Sequence, residues 1–338
     1  MEALHAFLTA DFLGTATWLW LFFFAVVIAL LVFDLGVLHR DNREIGVRES
    51  LLLSAGYISA GLLFGLWVYF QKGGDASMDY LTGFLIEKSL SMDNVFLMAM
   101  IFGFLAIPRQ YQHKVLFWGI MGVIVLRALM IGLGAALIHE FSWILYVFGV
   151  FLALTGVKML FSRVDEHPDL ENNFLVKWLR QHLRITPELH GERFFVRQPD
   201  ATGQTVLWVT PLFLALILIE LADLVFAIDS VPAIFAITQD PFIVYTSNIF
   251  AILGLRALYF ALAALIHRFA YLKYALALVL VFIGGKIFLV GIIGKIPPVV
   301  SLSVTLGLLL GGVLLSLWMT RDQPRAGKAR DTAAERAG

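Results

Sequence analysis

Acidic side chains set inside apolar sequence are the first chemistry this chain offers. Glu87, Asp93, Glu220, Asp223 and Asp229 all lie in long hydrophobic runs, as do Arg127 and Arg256. Asp34 sits near the end of the first such run. At the centre of a membrane helix an ionisable group costs about 2.5–3.5 kcal/mol on insertion scales. Each therefore needs a partner or a function. Lys88, Lys158 and Lys286 lie in similar runs, although a lysine stem is long enough to snorkel to the interface. One reading pairs the acids with Arg127, Arg256 and the lysines as charges that pin helices together. It accounts for the arginines and for one or two acids, but poorly for the whole set.

A hard divalent cation supplies the missing reason. It is bound by several oxygens, carboxylates supplemented by amide, hydroxyl and carbonyl groups. Asp93 with Asn94, and Asp229 with Ser230, offer that mixture from two places in the chain. Mn²⁺, Mg²⁺ and Ca²⁺ all fit such a site. Metals that prefer thiolate do not, because the chain has no cysteine. Helix geometry divides the acids. Six residues turn a helix by about 240°, so Glu87 and Asp93 cannot share one straight face, nor can Asp223 and Asp229. Glu220 and Asp223, three apart, can. Pro232 removes a backbone donor and disfavours helical geometry at Val231. A broken helix there, with freed carbonyls beside Asp229, would add oxygen ligands.

These residues need a membrane to sit in, and composition provides one. The chain has 338 residues, 60% hydrophobic and 15% charged, with 29 Phe and 8 Trp. Soluble domains run nearer a quarter charged. The formal net charge is zero, so nothing in the bulk field points to nucleic acid as a partner. The first residues carry Glu2 and Asp11 but no Lys or Arg, unlike a signal peptide, so the first apolar run reads as a retained helix. About 20 apolar residues cross a bilayer. Runs of that kind fall near 17–38, 50–70, 81–106, 114–138, 141–161, 206–238, 242–266, 270–291 and 299–319. The expected fold is all-α and polytopic, with about nine spans. The run 206–238 is long for one straight crossing.

Basic residues give the orientation. Arg40, Arg43 and Arg48, Arg109 and Lys114, Arg268 and Lys273, the segment 162–205 and the tail after Thr320 all carry Lys or Arg. The alternate loops, such as Gln71–Asp79 and Thr238–Pro241, carry few. The N-terminus is thus expected outside and the C-terminus inside. Between residues 162 and 205, Leu175, Val176, Trp178, Leu179, His182 and Leu183 recur at helical spacing among Lys177, Arg180 and Arg184. This reads as a short basic amphipathic helix on the cytoplasmic surface. A hairpin turning at Asp200–Gly203 is expected after it. The tail 321–338 reads as disordered.

Two parts of the chain repeat. Glu87-Lys-Ser-Leu-Ser-Met-Asp93-Asn94-Val95 corresponds to Asp223-Leu-Val-Phe-Ala-Ile-Asp229-Ser230-Val231. Downstream, Leu126-Arg127-Ala128-Leu129 corresponds to Leu255-Arg256-Ala257-Leu258, and Ala-Ala-Leu-Ile-His139 to Ala-Ala-Leu-Ile-His267. Gly156-Val157-Lys158 likewise corresponds to Gly285-Lys286. The division is then 1–80 for two leading helices, 81–161 for the first repeat, 162–205 for the loop, 206–291 for the second repeat and 292–320 for the ninth helix. The copies enter from opposite sides, so the repeats are inverted. That design in secondary transporters places the substrate near the midplane between the halves.

The segments Glu87-Lys-Ser-Leu-Ser-Met-Asp-Asn-Val-Phe and Glu220-Leu-Ala-Asp-Leu-Val-Phe-Ala-Ile-Asp-Ser-Val-Pro-Ala resemble the signature segments of the TerC family, with its Alx branch as the nearer match. The resemblance implies residence in the bacterial inner membrane and export of Mn²⁺. It also implies links with tellurite resistance, alkaline pH and redox modulation. Glu87, Asp93, Asn94, Glu220, Asp223 and Asp229 are the positions it implicates in metal transport, with Asp34 as a further match. No permanently bound cofactor is expected, and a homo-oligomer is open. A redox or stress-response role through partners is the competing reading. Against direct redox chemistry stand the lack of Cys and of a dinucleotide fingerprint. No enzyme is expected, since no nucleophile motif or water-activating His cluster accompanies the acids.

Overall fold

The structure is a computed structural model, and it describes residues 2–38, 47–161, 174–199, 204–262, 272–293 and 296–319. The basic loop between the first two long helices, the turn at Asp200–Gly203, His267 and the tail lie outside the described residues. A short helix α1 (Glu2–Thr9) and a two-residue hairpin, β1 (Asp11–Phe12) with β2 (Thr15–Ala16), precede the first long helix. The chain then runs through α2 (Thr17–Leu38), α3 (Val47–Lys72), α4 (Gly74–Phe104), α5 (Arg109–Glu140) and α6 (Ile144–Phe161). The loop region holds α7 (Phe174–His182), β3 (Phe195–Pro199) and β4 (Thr205–Val209). Next come α8 (Pro211–Phe235), α9 (Pro241–Leu253), α10 (Leu255–Leu262), α11 (Leu272–Ile293) and α12 (Pro298–Met319).

Among the described residues, eight segments are long and apolar enough to cross a bilayer: α2, α3, α5, α6, α8, α9 with α10, α11 and α12. Their outward faces expose large apolar side chains such as Phe70, Leu133 and Leu314, a surface suited to lipid. The protein is an all-α polytopic membrane protein. The expected third span lies in α4, whose 31 residues are long enough to cross. Its Glu87, Lys88 and Asp93 make it too polar to qualify by composition. Neighbours take the place of lipid around it: α3, α8, α9, α10, α11 and α12 all pack on α4.

The repeated segments pair across the molecule, α4 against α9, α5 against α8 and α6 against α11. At α6–α11 the backbones nearly touch. A Cβ on Gly156 would lie 2.6 Å from the Ala277 carbonyl oxygen, and one on Gly284 would lie 2.6 Å from that of Gly149. Small residues permit this approach where no hydrophobic force drives helices together. At the far end of the bundle, Phe23, Phe64, Tyr80, Phe242 and Phe250 form a buried aromatic cluster. At the loop end Ile101, Phe102, Leu116, Leu212 and Leu214, all 2% exposed or less, pack into one cluster. Here α7 turns Val176 and Leu179 into the same cluster and leaves Lys177 and Trp178 exposed. The expected amphipathic helix is therefore present. The hairpin is present too, antiparallel from Phe195↔Val209 to Pro199↔Thr205.

Two expectations are corrected. The apolar run from 206 is not one overlong span. Its first residues form β4, and α8 starts at Pro211, a position where the missing N–H costs nothing. Nor does α8 break at Pro232. It continues to Phe235, because the proline falls in the last turn and Val231, Ala233, Ile234 and Phe235 are packed in the core. The interruption lies at Gly254, between α9 and α10. The Ala251 carbonyl there accepts from Lys88 Nζ at 3.0 Å. A Cβ on Gly254 would meet Tyr57 Cβ at 2.9 Å.

Candidate functional site

Arg127, fully buried in the middle of α5, organises the charged interior. Its guanidinium grips Asp223 of α8 as a fork, Nε to Oδ2 at 3.1 Å and Nη2 to Oδ1 at 3.0 Å. Its Nη1 reaches Glu87 Oε1 of α4 at 3.0 Å and donates to Ser230 Oγ at 2.5 Å. Asn94 Nδ2 donates to Asp223 Oδ1 at 3.3 Å. A planar, two-pronged donor matches a carboxylate in both position and angle, and only arginine offers it.

Spacing explains why these side chains meet. Seven residues turn a helix by about 700°, close to two full turns. Glu87 and Asn94 therefore share one face of α4, and Asp223 and Ser230 share one face of α8. The two pairs correspond in the repeat. The spacing of seven was readable in the sequence and is the signal that six-residue spacing hid. Asp93 stands on a different face of α4, within electrostatic reach of Lys273 on α11. The side chain of Asp229 lies outside the described residues.

Several oxygens at this site lack a donor. Among the described residues, Glu87 Oε2, Asn94 Oδ1 and Glu220 Oε2 are buried and make no hydrogen bond. The Glu220 carboxyl lies against α5, filling the space a side chain at Gly122 would occupy. Buried acceptors are normally satisfied, so three around one carboxylate are an open demand for positive charge or protons. A cavity of about 10 Å³, room for one water, opens beside Asn94 and Asp223. Still, among the described residues no three His, Asp or Glu side chains converge closely enough to hold a metal on their own. Arg127 lies between the Glu87 and Asp223 carboxylates.

Arg256 forms a second, separate cluster. It lies in the first turn of α10, 1% exposed, with Nη1 at 3.2 Å from Asp34 Oδ2 of α2. The Tyr57 hydroxyl of α3 also bonds Asp34. Asp34, implicated by resemblance in the metal site, is thus committed elsewhere. The Arg256 nitrogens make no hydrogen bond among the described residues, and the side chain lines the same small cavity as Asp223 and Asn94. Lys158 is exposed near the end of α6. Lys286 is buried and lines a far-end cavity of about 610 Å³ with Asp79, Tyr146, Phe235 and Thr238.

Comparison with known proteins places these helices in a family. The model for the integral membrane protein TerC family matches residues 72–324. A membrane protein of Rickettsia bellii is 52% identical over 298 residues, 88% of this chain and 96% of its own. One from Myxococcus xanthus is 46% identical over 306 residues, 90% of this chain and 94% of its own. The Escherichia coli K12 protein Alx, whose name proposes a membrane-bound redox modulator, is 46% identical over 316 residues, 90% of this chain and 96% of its own. No solved structure matches the chain. Because the family match takes in α4, α5 and α8 with all the charges gathered around Arg127, the chain belongs to the TerC family of integral membrane proteins.

Proposed function

We propose that this protein is a secondary transporter that exports divalent metal cations, most readily Mn²⁺, by alternating access around a site near the middle of the membrane. One observation carries the reading: Glu87, Asn94 and Glu220 each present a buried oxygen without a donor around the Asp223–Arg127 pair. A hard cation takes such carboxylate and amide oxygens, and ionisable groups buried in membrane helices mark ion paths. The reciprocal packing of α4 on α9 and α5 on α8 supports an inverted three-plus-three repeat, the architecture of many transporters. In this reading α4, third in chain order, brings the spans to nine, the loop end is cytoplasmic, the N-terminus lies outside and the membrane is the bacterial inner membrane. Mn²⁺ is cargo, no cofactor is resident, the protein is not an enzyme, and a homo-oligomer is compatible.

A second reading, a redox or stress-response component acting through partners, is favoured by the name of the Alx relatives. The lack of any cysteine removes thiol chemistry from it. Manganese flux into proteoliposomes separates the two. Wild-type protein should carry Mn²⁺, and Asp223→Asn and Glu220→Gln should each lose most of that flux. Undiminished flux in both variants would reject the site, and no wild-type flux would favour the second reading. Competition by Mg²⁺ and Ca²⁺ in the same assay gives selectivity.

A further inference from the structure

Arg256 is a buried cation at the edge of the charged interior. Its guanidinium has one ion pair, with Asp34, and donates no hydrogen bond among the described residues. Its open side is the water-sized cavity whose other walls include Asp223 and Asn94. The backbone beneath it is interrupted at Gly254, and Arg256 lies in the first turn of α10. Arg127, the corresponding residue of the other repeat, sits in an unbroken helix of 32 residues and has its donors engaged. A charged group with spare donors beside a helix break can change partners at small cost. One whose three nitrogens are all held by carboxylates or a hydroxyl cannot.

We infer that Asp34 and Arg256 form a positioning pair for the transport site. Asp34 holds Arg256 away from Asp223 in this state, and in the opposite-facing state Arg256 takes the Asp223 carboxylate that Arg127 grips here. This rests on the transport reading. If the repeats exchange roles between states, the two arginines exchange roles with them, and the acid between them is never left without a cation. Among the described residues a cavity of about 610 Å³ lies at the far end, while Ile101, Phe102 and Leu116 pack together at the loop end. Asp34, contributed by a helix outside both repeats, therefore favours the far-end-open form. A ligand or substitution moves such an equilibrium only by what it does differently in the two states.

The test uses the full chain, naturally free of cysteine, with Thr238→Cys as the reporter in the far-end cavity. Labelling of that thiol by a hydrophilic maleimide in lipid nanodiscs reads how often the cavity is open. Asp34→Asn should free Arg256 and slow labelling by about tenfold. Arg256→Gln should not slow it, and Arg256→Lys should label like the parent. A merely structural ion pair predicts the same change for Asp34→Asn and Arg256→Gln, and that result, or no change in Asp34→Asn, overturns the inference. Asp34→Ser replaces Asp34→Asn if the amide variant is not monodisperse. Manganese flux of the Thr238→Cys parent is read alongside. Absent flux with the opposed labelling pattern rejects transport and keeps the partner exchange, whereas flux without that pattern rejects only the exchange.

Discussion

Arg127 and Arg256 stand at corresponding points of the repeated segments, both within Leu-Arg-Ala-Leu and both buried, yet their surroundings differ. Arg127 is met by two carboxylates and a hydroxyl, and its fork on Asp223 ties α5 to α8. Among the described residues Arg256 is met by one carboxylate, brought from α2. A buried network with its donors engaged is rigid, while a half-engaged one is costly and movable. The same residue in the same motif thus serves once as a fixed counter-charge and once as a charge held in reserve. Three-dimensional partners, rather than local sequence, assign the roles.

The largest test of that contrast is Arg127→Gln. It strands Asp223 and Glu87 without their cation, and breaking a buried pair costs about 3–5 kcal/mol, so a large drop in the thermal midpoint in detergent is expected. If Arg127→Gln is as stable as the parent, Arg127 is not the counter-charge described. Arg256→Gln should cost less, about 1–3 kcal/mol, since only Asp34 loses a partner. Adding Asp34→Asn should then cost little more, because neighbours in one network are not additive. Strict additivity would sink the pairing. Gly254→Ala pushes a Cβ against Tyr57 Cβ, close to the backbone and unable to yield, and overpacking of this kind costs about 1–3 kcal/mol. Gly122→Ala is expected to be the mildest for stability, within about 1 kcal/mol, because the Glu220 carboxyl it meets is the far end of a flexible chain. Its effect should appear in Mn²⁺ flux instead. A stability loss at Gly122 larger than at Gly254 would reverse the contrast drawn between the two clusters.

Much of this arrangement was legible beforehand. Hydropathy marked the long helices, helical spacing around Val176 and Leu179 found α7, and turn-forming residues found the hairpin. The repeat flagged Arg127 and Arg256 as a pair. Partner choice was not legible: nothing local says that Arg127 reaches Asp223 across the halves, or that Asp34 is spent on Arg256. The helix break was expected at Pro232 because proline removes a hydrogen bond wherever it stands. Its cost depends on position, and in the last turn of α8 it is absorbed. Gly254, which looks ordinary in sequence, breaks its helix where Tyr57 and Lys88 crowd against it. The glycine contact at Gly149 was also missed, because close approach is a property of two helices and the sequence is read one at a time.

The polarity of α4 has a consequence for how the molecule is made. A segment carrying Glu87, Lys88 and Asp93 has little reason to leave water for lipid by itself. Its charged groups find Arg127 on the next helix, but Asp223, α9 and α12 emerge much later from the ribosome. With α4 as a span, its place in the bilayer is expected to be secured only when the second half arrives. Chains halted after α6 should leave it loosely inserted and open to quality-control proteases. On that reading, biogenesis is expected to be a late, concerted event rather than a helix-by-helix threading.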